Sequence, residues 1–162
     1  MMKVLVDYPT DEEEFVIVER VTGPPVTVSP VASTEQLAHL QSECRRVYVD
    51  PSLVQYAVRL VSATRTPEKH GLKDLHKYIT FGASPRATIN LTEAARALAM
   101  LRGRTYVLPE DMSDLVPDVF RHRIVLSYEA LSEGLTPDAL VGKIMAKVPA
   151  PPKPLEHEKL VA

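Results

Sequence analysis

The strongest constraint on this chain is where its helices can begin. Capping residues, most of them next to proline, recur along it: Thr10 with Glu13, Ser33 with Gln36, Asp50 before Pro51, Ser84 before Pro85, Pro109 with Glu110 and Asp111, and Thr136 before Pro137. A Ser, Thr or Asp side chain can accept from the unpaired N–H groups of a first helical turn, and a proline in that turn gives up an N–H that had no partner. Each signal is followed by apolar residues three and four apart, the period of one helix face. About six short helices in one domain predict an all-α helical bundle.

The clearest helix starts at Pro85, where Ala87, Leu91, Ala94, Leu98 and Leu101 form one stripe that Ala95 and Ala99 widen. Its small alanines predict close helix–helix contact, and Arg102 followed by Gly103 is an ordered stop signal. The helix from Asp50 puts Leu53, Ala57, Leu60 and Thr64 on one face, and that from Ser33 does so with Leu37, Leu40, Cys44 and Val47. Met112, Leu115, Val116 and Val119 face inward on the next, which Pro117 is expected to break or kink. Leu140, Val141, Ile144 and Val148 form the last apolar side.

Between these elements, "KVLVDYP" reads as a short N-terminal strand, with Asp7 at its end, and "TDEEEFVIVERV" reads as a capped helix whose Val and Ile would also suit a strand. Residues 68–80 read as a charged loop with one helical turn near Leu72 to Tyr78. The proposed divisions are 1–22, a linker at 23–32, a helical domain at 33–148 and a flexible Pro-rich tail at 149–162.

Composition excludes several classes. With 162 residues, of which 45% are apolar, the chain can bury a core. A net charge of −2 gives no footprint for nucleic acid, and no apolar run is long enough for a membrane span or a leader. The single cysteine, Cys44, cannot form an intrachain disulfide. A soluble cytoplasmic protein is expected.

Catalysis by these residues alone has little support. Of the glycines, only Gly142 precedes a lysine, and Ile144 stands where a phosphate-binding loop needs Ser or Thr. Asp7 is followed by Tyr8 rather than a second acid, and the histidines at 39, 70, 76, 122 and 157 have no metal-ligand spacing, so no metal site is expected. His39 reads as an ordinary helix residue. No nucleophile-elbow motif accompanies the serines. "RHR", Arg121 to Arg123, suits a helix end with nearby acids, or else a subunit or phosphate contact.

"GASPRA", Gly82 to Ala87, contains a conflict. Ser84 and Pro85 are good start signals, yet Arg86 falls in a first turn that carries positive partial charge and prefers acids. Arg86 is either a solvated or ion-paired arginine or an anion-binding one, since a helix N-terminus and a guanidinium can hold the same phosphate oxygen. Gly82 would then let the backbone come close.

"GASPRATINLTEAARALAMLRGRTYVLPEDM" resembles the sensor 2 region of MoxR-type AAA+ ATPases. The resemblance extends through "VDPSLVQYAVRLVSATR", "DVFRHRIVLSYEA" and "VDYPTDEEE", covering roughly residues 3 to 148, and it is most specific in the ordered set with "GR.YV.PEDM" and "HRI". It implies a helical lid preceded by the last strand and helix of a nucleotide-binding core, residues 1–22, in a chain that is a fragment. The phosphate-binding loop, the magnesium-binding acids and the arginine finger of such ATPases are not in this sequence. The resemblance makes Arg86 the sensor 2 arginine at the γ-phosphate of ATP, with Pro85 and Ser84 beside the nucleotide. Arg65 matches a family position without a ligand assigned to it. ATP and magnesium are implied for the complete ATPase and none for this chain alone. The implied partners are the chain's own core, neighbouring subunits of a ring, often a hexamer, and a von Willebrand factor A protein, with neither nucleic acid nor membrane. A stand-alone all-α interaction module is the alternative.

Overall fold

The computed structural model describes residues 1–152, and the expected tail beyond them, 153–162, lies outside the described residues. The helices are α1 (Asp11–Thr22), α2 (Thr34–Arg46), α3 (Pro51–Arg65), α4 (Pro85–Leu101), α5 (Pro109–Phe120), α6 (Tyr128–Ser132) and α7 (Pro137–Lys147). Most start as the cap signals predict. The Thr10–Glu13 and Ser33–Gln36 capping boxes form, Asp50 accepts from the Ser52 N–H, and Thr136 accepts from the Ala139 N–H. Helix α6 is an additional single turn, capped by Ser127.

The core lies between α3, α4, α5 and α7. Leu53, Leu60, Leu91, Met112, Phe120 and Leu140 are fully buried in it. Burying a side chain of this size contributes about 1.5–3 kcal/mol before ordering entropy is subtracted. Helix α4 is central and meets both α3 and α5. Its contact face is Ala87, Ala94, Ala95 and Ala99 around Leu91, so its neighbours approach closely. Of the predicted stripe, Leu98 is half-buried and Leu101, the last helical residue, is 85% exposed. The buried face is therefore turned toward Ala95 and Ala99.

Residues 68–80 are more ordered than a loop. Two 3-10 turns, Pro67–His70 and Lys73–Tyr78, lead into β1 (Ile79–Phe81), and Leu75 is buried between them and the bundle. Strand β1 pairs antiparallel with β2 (Val125–Leu126). A parallel bridge joins Tyr48 to Tyr106, with the Val107 N–H donating to the Tyr48 carbonyl at 2.9 Å. It ties the entrance of α3 to the turn after α4.

Three expectations need correction. The N-terminal strand does not form: residues 1–10 have no regular structure, and Asp7 ends no strand. A strand needs a ladder partner, whereas β1 and β2 pair with each other. Instead the Lys3 N–H donates to the Asp118 carbonyl at the end of α5. Pro117 does not break α5, which runs on to Phe120 with the Arg121 N–H donating to the Pro117 carbonyl. One missing N–H near a helix end forfeits a single bond, and burial of Val116, Val119 and Phe120 on either side offsets it. The stripe of α2 is buried only at its C-terminal end: Leu37 and Leu40 are 54% and 49% exposed, Cys44 is half-buried and Val47 is buried. No residue before Val47 is buried.

Candidate functional site

The "GASPRA" segment connects β1 to α4, and its path is set by α3. Thr64, in the last turn of α3, is fully buried. Its Oγ1 donates to the Val61 carbonyl at 2.7 Å and accepts from the Ala83 N–H at 2.8 Å. Gly82 lies against the same turn. A Cβ there would stand 2.3 Å from the Thr64 carbonyl oxygen and 2.8 Å from Cγ of Arg65. The close approach expected at Gly82 exists against the backbone of α3.

Ser84 then takes the cap position in extended conformation, with φ −77° and ψ 167°, and Pro85 opens the helix. The Ser84 hydroxyl makes no capping bond, unlike those of Thr10, Ser33, Ser127 and Thr136. Ser84, Pro85 and Arg86 are all exposed, while Ala87 is buried beneath them. The first turn of α4 contains no acid. Among the described residues the Arg86 side chain has no hydrogen bond or ion pair, and that of Arg65 at the end of α3 has none either. The predicted residues are thus brought together on one exposed edge.

The sequence around this edge has a property that motif reading missed. Stretches 51–67 and 75–92 contain no Asp or Glu, although the chain has 21 acids, and they include Arg59, Arg65, Lys77 and Arg86. Charge run by segment, rather than over the whole chain, would have found it.

The other candidates are structural. Arg121 of "RHR" binds Asp138 at 2.9–3.2 Å, pairs with Asp118 and donates to the Lys3 carbonyl. Its pKa is raised, chiefly by the bond to Asp138. Arg123 reaches the Met1 carbonyl at 3.3 Å. Burial, with Arg123 beside it, lowers the pKa of His122. Asp111, read only as a first-turn acid, is fully buried and accepts from the Leu108 N–H, from Arg104 and from Arg102. Two arginines just ahead of a helix start were its available signal. A concavity of about 650 Å³ is lined by residues 6–20 and includes none of Ser84, Pro85 or Arg86. Among the described residues no group of three His, Cys, Asp or Glu could hold a metal ion, and no helix is long and apolar enough to cross a membrane.

Residues 71–144 match the AAA lid domain family. The chain is 41% identical over 151 residues to the chaperone MoxR1 of Mycobacterium tuberculosis, spanning 93% of this chain and 40% of that protein. This chain carries an AAA lid domain of the MoxR type. The MoxR protein of Paracoccus denitrificans is 40% identical over 110 residues, 64% of this chain and 32% of that protein. A crystal structure of a provisionally designated ATPase from Cytophaga hutchinsonii superposes with a TM-score of 0.88 at 36% identity, over 94% of this chain and 47% of that one. The chain thus spans less than half the length of these relatives. Its helical bundle includes the family's matched segment, from Gly71 just after the first 3-10 turn to Ile144 in α7.

Proposed function

We propose that this chain is the lid of a MoxR-family AAA+ ATPase and couples ATP binding and hydrolysis to conformational change in a ring that remodels other proteins. In this reading Arg86 is the sensor 2 arginine and meets the γ-phosphate, with Ser84 and Pro85 beside it. The observation that carries the reading is the state of Arg86: exposed, unpaired, and mounted on the first turn of a helix whose core face is packed. A planar, permanently charged fork on a rigid rod transmits the presence of an anion into the angle of the whole lid. A first turn without acids, whose N–H groups the Ser84 hydroxyl does not cap, fits a phosphate oxygen.

ATP would supply the scissile phosphoanhydride, and this chain one cationic edge of its site. Among the described residues no group of three His, Cys, Asp or Glu could hold a metal ion, and in this reading the magnesium ligands and the phosphate-binding loop belong to a nucleotide-binding core. Residues 1–22 are read as part of that core, 23–32 as the connection and 33–148 as the lid. The surroundings are cytoplasmic. The partners in this reading are the core, neighbouring subunits and a von Willebrand factor A protein.

The test is Arg86→Ala in an ATPase that joins this lid to a MoxR-type core. Hydrolysis should fall roughly 10- to 1000-fold, the range for losing one preorganised charge stabiliser. Arg86→Lys should recover only part of it, lacking the fork. The isolated lid should keep its stability within about 0.5 kcal/mol, as for an exposed residue without partners. Unchanged hydrolysis by folded Arg86→Ala rings overturns the assignment.

A further inference from the structure

Three of the described residues bury a polar or charged side chain: Asp50, Thr64 and Asp111. Asp50 caps α3, and Asp111 gathers Arg102 and Arg104. Only Thr64 reaches the segment that carries Arg86. We propose that Thr64 is the positioning residue for Arg86, holding the start of α4 against the end of α3 so that the guanidinium is presented at a fixed place. The proposal rests on the reading of Arg86 as the phosphate-sensing arginine.

The hydrogen bonds leave one arrangement. A threonine hydroxyl has a single proton, and a backbone N–H can only donate. The Ala83 N–H points into Oγ1 at 2.8 Å, so the hydroxyl proton goes to the Val61 carbonyl at 2.7 Å. Both Thr64 and Ala83 are fully buried, and no water can replace either bond without opening the packing. Gly82 adds a steric condition: with no Cβ, its backbone rests on the Thr64 carbonyl at a distance no other residue allows. One bond and one contact therefore clamp two consecutive residues of the connection to α3.

From Ala83 the path to Arg86 has little freedom. Pro85 has its φ restricted by its ring. On the far side, Ala87 is buried against the bundle and its N–H donates to the Ser84 carbonyl at 2.9 Å. Arg86 is held between two anchored alanines, and its own side chain contributes no contact to the holding. Its position is inherited from the backbone, and on the side facing β1 that inheritance runs through Thr64. Were the Ala83 N–H to lose its acceptor, the connection would have to swing toward water to satisfy it, carrying the first turn of α4 with it.

The test uses Thr64→Val, which keeps the branched shape and removes the acceptor, and Thr64→Ser, which keeps the hydroxyl. In this chain, amide exchange at Ala83 should be roughly 10-fold faster or more in Thr64→Val and near the parent rate in Thr64→Ser. In an ATPase joining the chain to a MoxR-type core, Thr64→Val should lower kcat roughly 10-fold, with a smaller change in KM for ATP, because misplacing a charge stabiliser acts mainly in the transition state. Thr64→Ser should restore most of it. The decisive arm is the Arg86→Ala background, where Thr64→Val should have almost no further effect. A residue that merely supports the fold would slow both backgrounds by the same factor, and that result overturns the proposal. So does an unchanged kcat in Thr64→Val while Ala83 exchanges faster. If Thr64→Val does not fold, Gly82→Ala displaces the same segment with the hydroxyl intact, and the same non-additivity with Arg86→Ala is expected. Failure of the Arg86 reading is seen separately, as full hydrolysis by Arg86→Ala alone.

Discussion

Replacing Asp111 by alanine should be among the most damaging changes to the stability of this lid. The carboxylate is fully buried and accepts four bonds: from the Leu108 N–H at 2.8 Å, from Arg104 at 2.6 and 2.7 Å, and from Arg102 at 2.8 Å. Removing one member of a buried ionic cluster costs about 3–5 kcal/mol, because the remaining charges keep their desolvation and lose their counterion. Here the arginines retain partial relief. The Arg102 side chain is 41% exposed and keeps Asp114 at 2.7 Å, and that of Arg104 is 21% exposed. The lower end, about 3 kcal/mol, is therefore expected. At about 4 °C per kcal/mol for a chain of this size, Tm should drop by roughly 12 °C. Differential scanning calorimetry at neutral pH measures it directly. The acid limb gives a second reading. Burial pushes the Asp111 carboxyl up, but Arg104, the Leu108 N–H and Arg102 outweigh it and hold it below its ordinary value of 3.8. A lowered folded pKa means stability that is present above the unfolded value and lost as pH falls through the folded one. The parent should therefore lose stability more steeply than Asp111→Ala below about pH 4. A Tm drop under about 3 °C would show that the cluster contributes no more than an exposed ion pair.

Two further perturbations probe the supports of the bundle. Gly82→Ala drives a methyl into the Thr64 carbonyl and should destabilise by about 1–3 kcal/mol, as overpacking does, visible as a lowered Tm; parent-like stability would refute the close approach. Arg121→Ala removes the side chain that joins Asp118, Asp138 and the Lys3 carbonyl, and should cost about 1–3 kcal/mol while speeding amide exchange at Lys3; unchanged protection there would mean that the Asp118 carbonyl alone holds the segment.

What could be read from the sequence depended on how far apart the interacting groups were. Helix starts are decided within four residues, so Thr10–Glu13, Ser33–Gln36 and Thr136 were legible, and so was the all-α class. Burial is decided by distant partners. Leu37 and Leu40 lie at helical spacing as Leu53 and Leu60 do, yet only the second pair is buried. "KVLVDYP" has strand composition, but strand formation belongs to a pair of segments rather than to one. At the site, Ser84, Pro85 and Arg86 could be named from the start signal and the charge that conflicts with it. Thr64 could not, because a separation of 19 positions along the chain hides its hydrogen bond with Ala83. Gly82 was legible as a place of close approach, though its neighbour was not.

The arginines of the bundle separate into two groups, and the separation yields one more test. Arg96, Arg102, Arg104 and Arg121 each pair with a carboxylate, and Arg59 lies over the Tyr56 ring. Arg65 and Arg86 have no such partner among the described residues, and the surrounding stretches 51–67 and 75–92 supply no acid that could become one. For a merely solvated Arg86, a carboxylate one helical turn along would be harmless or slightly favourable. Position 90 offers that turn: Asn90 lies four residues on in α4 and is only half-buried. Asn90→Glu should form an i,i+4 pair with Arg86 worth about 0.2–0.5 kcal/mol, so the isolated lid should be as stable as the parent or slightly more so. If Arg86 is needed for a phosphate, the same pair competes for its guanidinium and adds negative charge beside the anion. ATP hydrolysis in the joined ATPase should then fall roughly 3- to 10-fold, and more at low ionic strength, where such interactions are screened least. Asn90→Gln, of similar size and without charge, should leave hydrolysis near the parent rate. A glutamate at position 90 that stabilises the lid and leaves hydrolysis untouched would place Arg86 with the solvated arginines.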